Sequence, residues 1–108
     1  MSYTAVVLAN STSTAIVAAE ANSKACILRI TATNRNAAAV SLIALDGTTE
    51  ICRWHLAAAG GQINIGYGDP AFPVFPASKH TKNTVFNLQQ SANQDGVVGD
   101  VLWTYRGA

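Results

Sequence analysis

The sequence predicts an all-β domain, an antiparallel β-sandwich of about eight short strands. Three observations point there. Two Asp-Gly pairs, Asp46-Gly47 and Asp95-Gly96, each lie between β-rich runs, and Asp-Gly tolerates the positive φ angles of a tight hairpin turn. Between turn signals, apolar and polar residues alternate, which sorts the side chains of a strand onto two faces. No helical segments alternate with these runs, which sets aside a parallel α/β sheet. Eight antiparallel strands in two sheets is the jelly-roll number, so a jelly-roll-like order is preferred over an immunoglobulin-like one.

The elements follow in chain order. Tyr3 to Ala9 and Thr14 to Ala19 read as strands joined by Asn10-Ser11-Thr12-Ser13. The Ala-rich stretch from Ala15 to Ala25 resembles a short helix, but its Ser and Thr content and its lack of a 3.6-residue apolar stripe argue against one. In Cys26-Ile27-Leu28-Arg29-Ile30-Thr31, alternation assigns Cys26, Leu28 and Ile30 to the inner face and Ile27, Arg29 and Thr31 to the outer. Val40 to Leu45 and Thr48 to Leu56 flank Asp46-Gly47 as a hairpin. Within its second arm Cys52, Trp54 and Leu56 face inward, opposite Ile51, Arg53 and His55. Ile63, Ile65 and Tyr67 share one face, as do Val101, Trp103 and Tyr105. Val85 to Leu88 and Val97 to Tyr105 flank Asp95-Gly96.

At 108 residues the chain reads as one domain spanning 1–108, with 1–12 open to a second description as an extended N-terminal segment. A domain of this length buries roughly two-thirds of its unfolded surface, enough for one core. Only 12% of its residues are charged, against 49% hydrophobic; a soluble domain typically carries about 25% charged residues. Ser, Thr, Asn, Gln and Ala must cover the outside, together with other subunits. The net charge is +1. Lys24, Arg29, Arg35, Arg53, Lys79, Lys82 and Arg106 are spread along the chain and form no basic stripe, so nucleic acid is not expected as a partner. No run reaches the ~20 apolar residues of a membrane span, and Met1-Ser2-Tyr3-Thr4 lacks the positive start of a signal peptide. A cytoplasmic origin is expected, and there Cys26 and Cys52 are expected as thiols rather than as a disulfide.

One loop differs from the rest. Gly68 to Ala77 holds all three prolines of the chain, which fix φ and remove backbone donors, so it is no central strand. Yet it also carries Phe72, Val74 and Phe75. Two readings stand side by side. The loop folds over an open end of the sandwich and caps its own core, or Pro70, Phe72, Pro73, Val74, Phe75 and Pro76 form a subunit-contact loop. Proline stiffness lowers the ordering cost of such a contact.

Residues that carry chemistry are scattered. No Gly-x-Ser-x-Gly elbow is present. His55 is placed on the outer face of its strand, and His80 in the polar stretch Ser78 to Lys82, as a solvated loop residue. Cys52 and His55 have a spacing found in some zinc sites, but positions three apart on a strand face opposite ways. Glu20, Asp46, Glu50, Asp69, Asp95 and Asp100 lie apart in sequence. Trp54 and Trp103 fall in register with apolar neighbours, as core residues rather than a sugar-stacking platform. The expectation is no enzyme, no metal, no cofactor and no small-molecule substrate.

The second half of the chain carries a pattern. It runs Cys52-Arg53-Trp54-His55-Leu56-Ala57-Ala58-Ala59-Gly60-Gly61, then Gln62-Ile63-Asn64-Ile65 and the proline loop. It continues with Thr84-Val85-Phe86-Asn87-Leu88-Gln89-Gln90-Ser91-Ala92 and ends in Gly96 to Tyr105. This resembles the small β-sandwich structural proteins of tailed bacteriophages, and within them the capsid decoration, or cement, proteins. The resemblance implies a virion protein on the capsid surface, made in the host cytoplasm. It implies the major capsid protein and copies of itself, as a homotrimer, for partners. The work implied is capsid stabilisation by clamping adjacent capsomers; no catalytic residue is carried over. A receptor- or glycan-binding tip domain of a phage tail, and a tail or neck subunit, are the alternative readings.

Overall fold

Turn signals and alternating runs resolve into eight strands in the computed structural model of the chain, which describes residues 1–8, 11–69, 71–91 and 96–107, without the side chain of Ser78. The strands are β1 (Ser2–Leu8), β2 (Thr14–Val17), β3 (Ser23–Asn34), β4 (Val40–Asp46), β5 (Thr49–Leu56), β6 (Gln62–Ile65), β7 (Phe86–Gln90) and β8 (Val97–Gly107). They form two four-stranded antiparallel sheets, ordered β1-β8-β3-β6 and β2-β7-β4-β5. Among the described residues there is no α-helix, only a short 3₁₀ turn at Ala77–Lys79. The stretch from Ala15 to Ala25 contributes the end of β2 and the start of β3, not a helix.

The pairing is nested. β1 pairs with β8, β2 with β7, β3 with β6, and β4 with β5. The innermost pair is the hairpin predicted at Asp46-Gly47. Asp46 pairs with Thr49, so the two central turn residues are Gly47 and Thr48. Gly47 takes φ +63°, which suits a type II′ turn and the right-handed twist of the flanking strands. The second Asp-Gly pair closes no hairpin, because β7 and β8 on either side of it lie in different sheets; Asp95 itself lies outside the described residues, as do Ala9 and Asn10 of the first predicted strand and linker.

The inner faces of the two sheets meet in one core. Val6, Ile27, Leu42, Phe86, Leu88 and Val101 are fully buried in it, and each such side chain contributes about 1.5–3 kcal/mol relative to exposure. Trp54, Trp103 and Tyr105 pack against this core from its margins, as their alternation predicts. Trp103 Nε1 donates to Thr4 Oγ1 at 2.8 Å, and the Tyr105 hydroxyl donates to the Ala18 carbonyl at 2.7 Å. Cys26 and Cys52 are both free thiols.

In β3 the predicted inner set of Cys26, Leu28 and Ile30 is overturned. The register against β8 steps from Ile27↔Trp103 to Arg29↔Leu102, leaving Leu28 as an extra residue. Such a bulge shifts the phase of the alternation. Ala25 and Ile27 before it, and Ile30 and Ala32 after it, point into the core. Cys26 and Leu28 instead join Leu102 in a small separate cluster. The chain after β6 covers that cluster: the Gly68 N–H donates to the Leu28 carbonyl at 3.4 Å, and a Cβ on Gly68 would stand 3.2 Å from Leu102 Cδ2. Bulges also place Ile16 beside Val17 in β2, and Ile51 beside Cys52 in β5. Ile51, expected on the outer face, therefore packs against the core. β6 ends at Ile65, Gly66 turns at φ +94°, and Tyr67 leaves the expected inner row.

Candidate interaction surface

The proline loop divides between the two readings residue by residue. Phe75 is only 8% exposed. Its backbone N–H and C=O bond Ile27 in an isolated antiparallel bridge at 2.9 and 3.1 Å, extending the edge of β3 beyond β6. Its ring lies 5.9 Å from Trp54 and 6.3 Å from Phe86, centroid to centroid. Val74 is half-buried against the same core. These two cap the chain's own sandwich. Phe72 points the other way: it is 63% exposed, and its ring meets Tyr67, itself 84% exposed, edge to face at 6.2 Å. Asp69 sets this corner, accepting from the Ala71 N–H through Oδ1 and from the Phe72 N–H through its carbonyl, both at 2.9 Å. Pro73 and Pro76 are half-buried, and Pro70 lies outside the described residues.

His80, expected in a solvated loop, is buried. Its side chain is 1% exposed, and its ring packs edge-on against Phe86 at 5.6 Å and Phe75 at 6.3 Å. Neither ring nitrogen has a hydrogen-bond partner. Asp46 Oδ1 lies 3.6 Å from Nδ1, too long for a hydrogen bond. Burial pushes the imidazole below its ordinary pKa, and the Asp46 carboxylate pulls part of the way back. Asp46 in turn accepts from the backbone and hydroxyl of Thr81 at 3.1 and 2.8 Å, so it fastens the loop to the β4–β5 turn. His55 is exposed as predicted, its Nδ1 2.9 Å from Ser41 Oγ.

Sequence reasoning also missed a buried amide network. Asn34 Nδ2 donates to the carbonyls of Ala38 at 3.0 Å and Ala57 at 2.9 Å, and its Oδ1 accepts from the Asn36 N–H at 2.9 Å. Asn36 Nδ2 donates to Gln90 Oε1 at 3.2 Å, and Gln90 Nε2 donates to the Leu8 carbonyl at 3.0 Å. These three amides tie β1, β3 and β7 to the segments just before β4 and just after β5, at one end of the sandwich. The usable signal was the run of polar residues ending apolar strands, Asn34 after Ala32 and Gln90 after Leu88.

The four sheet edges differ in how they are protected. Natural sheets blunt their edges with short strands, bulges and charges. β2 and β6 have four residues each, and β2 is bulged. β5 is bulged and carries Glu50 and Arg53, which bond to each other at 2.8 Å. β1 has none of these devices. Its seven residues, Ser2-Tyr3-Thr4-Ala5-Val6-Val7-Leu8, are uncharged, without proline, and in unbroken register with β8. Tyr3 (62%) and Val7 (67%) are exposed, with Ala5 exposed between them.

Among the described residues no three of His, Cys, Asp and Glu gather where a cation could be held. Comparison of the chain with protein-family models, with curated proteins and with solved structures finds no match in any of the three.

Proposed function

We propose that the protein is a structural subunit of a bacteriophage virion, a capsid decoration protein that reinforces the head by contact. What carries this reading is where the large apolar groups lie. Tyr3 and Val7 on β1, and Tyr67 and Phe72 after β6, stand exposed on a domain with few charges. Interface cores are depleted in charge and enriched in aromatic residues, and a surface of this kind suits permanent contact with neighbours. The pattern from Cys52 to Tyr105 supplies the class of neighbour: the major capsid protein and further copies of this chain. The nested strand pairing is the order obtained by rolling up one long hairpin, which favours a jelly roll over an immunoglobulin-like sandwich. Jelly rolls include viral capsid and lectin domains, a support by analogy of fold. On a lattice, many weak contacts at high effective concentration sum to strong reinforcement.

The experiment uses heads of the phage that carries the gene, with and without the protein. Heads lacking it release their DNA at a lower temperature, and adding back the purified chain restores the wild-type temperature. Equal heat resistance of both kinds of head contradicts the reading. A second reading, a glycan-binding tail tip, rests on the exposed Tyr67–Phe72 corner beside Asp69. Trp54 and Trp103 are not its platform, since both pack against the core. It requires that Tyr67→Ala abolish binding to host-surface polysaccharide and leave the heads unaffected.

A further inference from the structure

We propose that β1 is a self-pairing edge, and that two copies of the chain join their β1 strands antiparallel about a two-fold axis into a continuous eight-stranded sheet. The inference deepens the proposed function by naming one self-contact, and rests on that reading only for its biological use.

Three observations choose a second copy as the occupant. The first is the unprotected edge itself: β1 pairs on one side with β8, and among the described residues no strand pairs with its other side. An open, regular, uncharged edge recruits another strand. The second is self-complementarity. A two-fold contact is isologous, so residue i meets j and j meets i. Centring the axis on Ala5 sets Tyr3 opposite the other copy's Val7, Ala5 opposite Ala5, and Val7 opposite Tyr3. The exposed outer row of β1 then becomes one apolar row of six side chains, with aromatic against β-branched at both ends, a favourable cross-strand pair. The third is charge. A two-fold axis brings like charges together, and β1 carries none. The charges near that face are Arg29 and Asp100 in the two strands behind it, opposite in sign and already engaged, and the exposed Arg35, which lines a hollow with Val7 and Val98 at the end of the strand. The Arg29 guanidinium reaches the Tyr3 hydroxyl at 3.4 Å and lies 6.0 Å from its ring centroid. Asp100 Oδ1 accepts from Thr31 Oγ1 at 2.8 Å. Arg29 thus holds Tyr3 in place before the partner arrives, which lowers the ordering cost of association.

The pair is two-fold, so it doubles whatever assembly the other surfaces make. The test is the mass of the purified full chain by sedimentation equilibrium. Wild type is expected at twice the mass of Ala5→Glu, whose glutamates would face each other across the axis and beside Asp100. Mixing Ala5→Glu with Ala5→Lys restores the doubled mass through a Glu–Lys pair. If Ala5→Glu does not fold, judged by circular dichroism, cysteine variants decide instead. Ala5→Cys forms an intermolecular disulfide under mild oxidation, because directly opposed Cβ atoms lie about 4.5–5.5 Å apart. Ser2→Cys does not, its two copies being separated by about 20 Å along the strands. Equal masses for wild type and Ala5→Glu, failure of the mixture to recover, or equal crosslinking at positions 2 and 5 overturns the proposal. Head binding separates the two claims: an undoubled wild type that still binds heads sinks the β1 pair alone, while a doubled one that ignores heads sinks the decoration reading alone.

Discussion

Burial holds the His80 imidazole below its ordinary pKa, and the sign of the consequence is fixed. In the unfolded chain the ring takes up a proton as pH falls through about 6.5; in the folded chain it resists until a lower pH. Between those values the unfolded state binds more protons, so stability is full above that range and declines as pH falls through it. Urea denaturation between about pH 7.5 and 5 checks this. The wild type loses stability towards acid, and His80→Leu loses less over the same interval. Equal slopes contradict the burial. The proline loop gives a second contrast at this scale. Phe75→Ala removes a ring packed among Trp54, Phe86 and His80 and costs about 3–5 kcal/mol. Phe72→Ala removes an exposed ring and changes stability by no more than about 0.5 kcal/mol. Thermal melts of the two variants distinguish them directly.

At the scale of elements, the strands that sequence reasoning placed well are those whose alternation is uninterrupted. Val101, Trp103 and Tyr105 in β8 keep one phase and point inward, as do Cys52, Trp54 and Leu56 in the part of β5 that follows its bulge at Ile51. The Asp46-Gly47 turn was legible because its backbone angles demand glycine. The inner face of β3 was not legible, because one extra residue at Leu28 inverts the phase, and a bulge is decided by the partner strand's register rather than by β3 itself. His80 was misplaced for a related reason: its neighbours Lys79, Thr81 and Lys82 are polar, and only the tertiary approach of Phe75 and Phe86 buries it. Of the contact loop, the composition gave the stiffness and the apolar load but not their division, since the Ile27–Phe75 bridge is non-local. The same non-local logic governs Gly99 in β8. It lies opposite Ala32, and a Cβ there would overlap the Thr31 carbonyl oxygen. Gly99→Ala therefore forces β3 and β8 apart and lowers stability by about 1–3 kcal/mol, read as a lower urea midpoint. The amide network offers a parallel test. Asn34→Ala leaves the Ala38 and Ala57 carbonyls and the Asn36 N–H without their partner, and costs about 1–3 kcal/mol.

For the whole molecule, the arrangement concentrates order inside and leaves contact groups outside. One core, capped by Val74 and Phe75, and one amide network hold the two sheets together. Tyr3, Val7, Tyr67 and Phe72 are left over by that packing, in a chain with too few charges to surround them. Among the described residues no three of His, Cys, Asp and Glu gather where a cation could be held, and Tyr3, Val7, Tyr67 and Phe72 are large apolar groups left exposed. The decoration role we propose draws on that surface together with the pattern from Cys52 to Tyr105, and the proposed β1 pair is one contact it would use. The most direct measurement is cosedimentation of the purified chain with DNA-emptied heads of its own phage, titrated to saturation. Decoration predicts saturable binding at a fixed number of copies per capsomer, weakened when Tyr67 and Phe72 are both changed to Ser. A chain that stays in the supernatant at every concentration contradicts it.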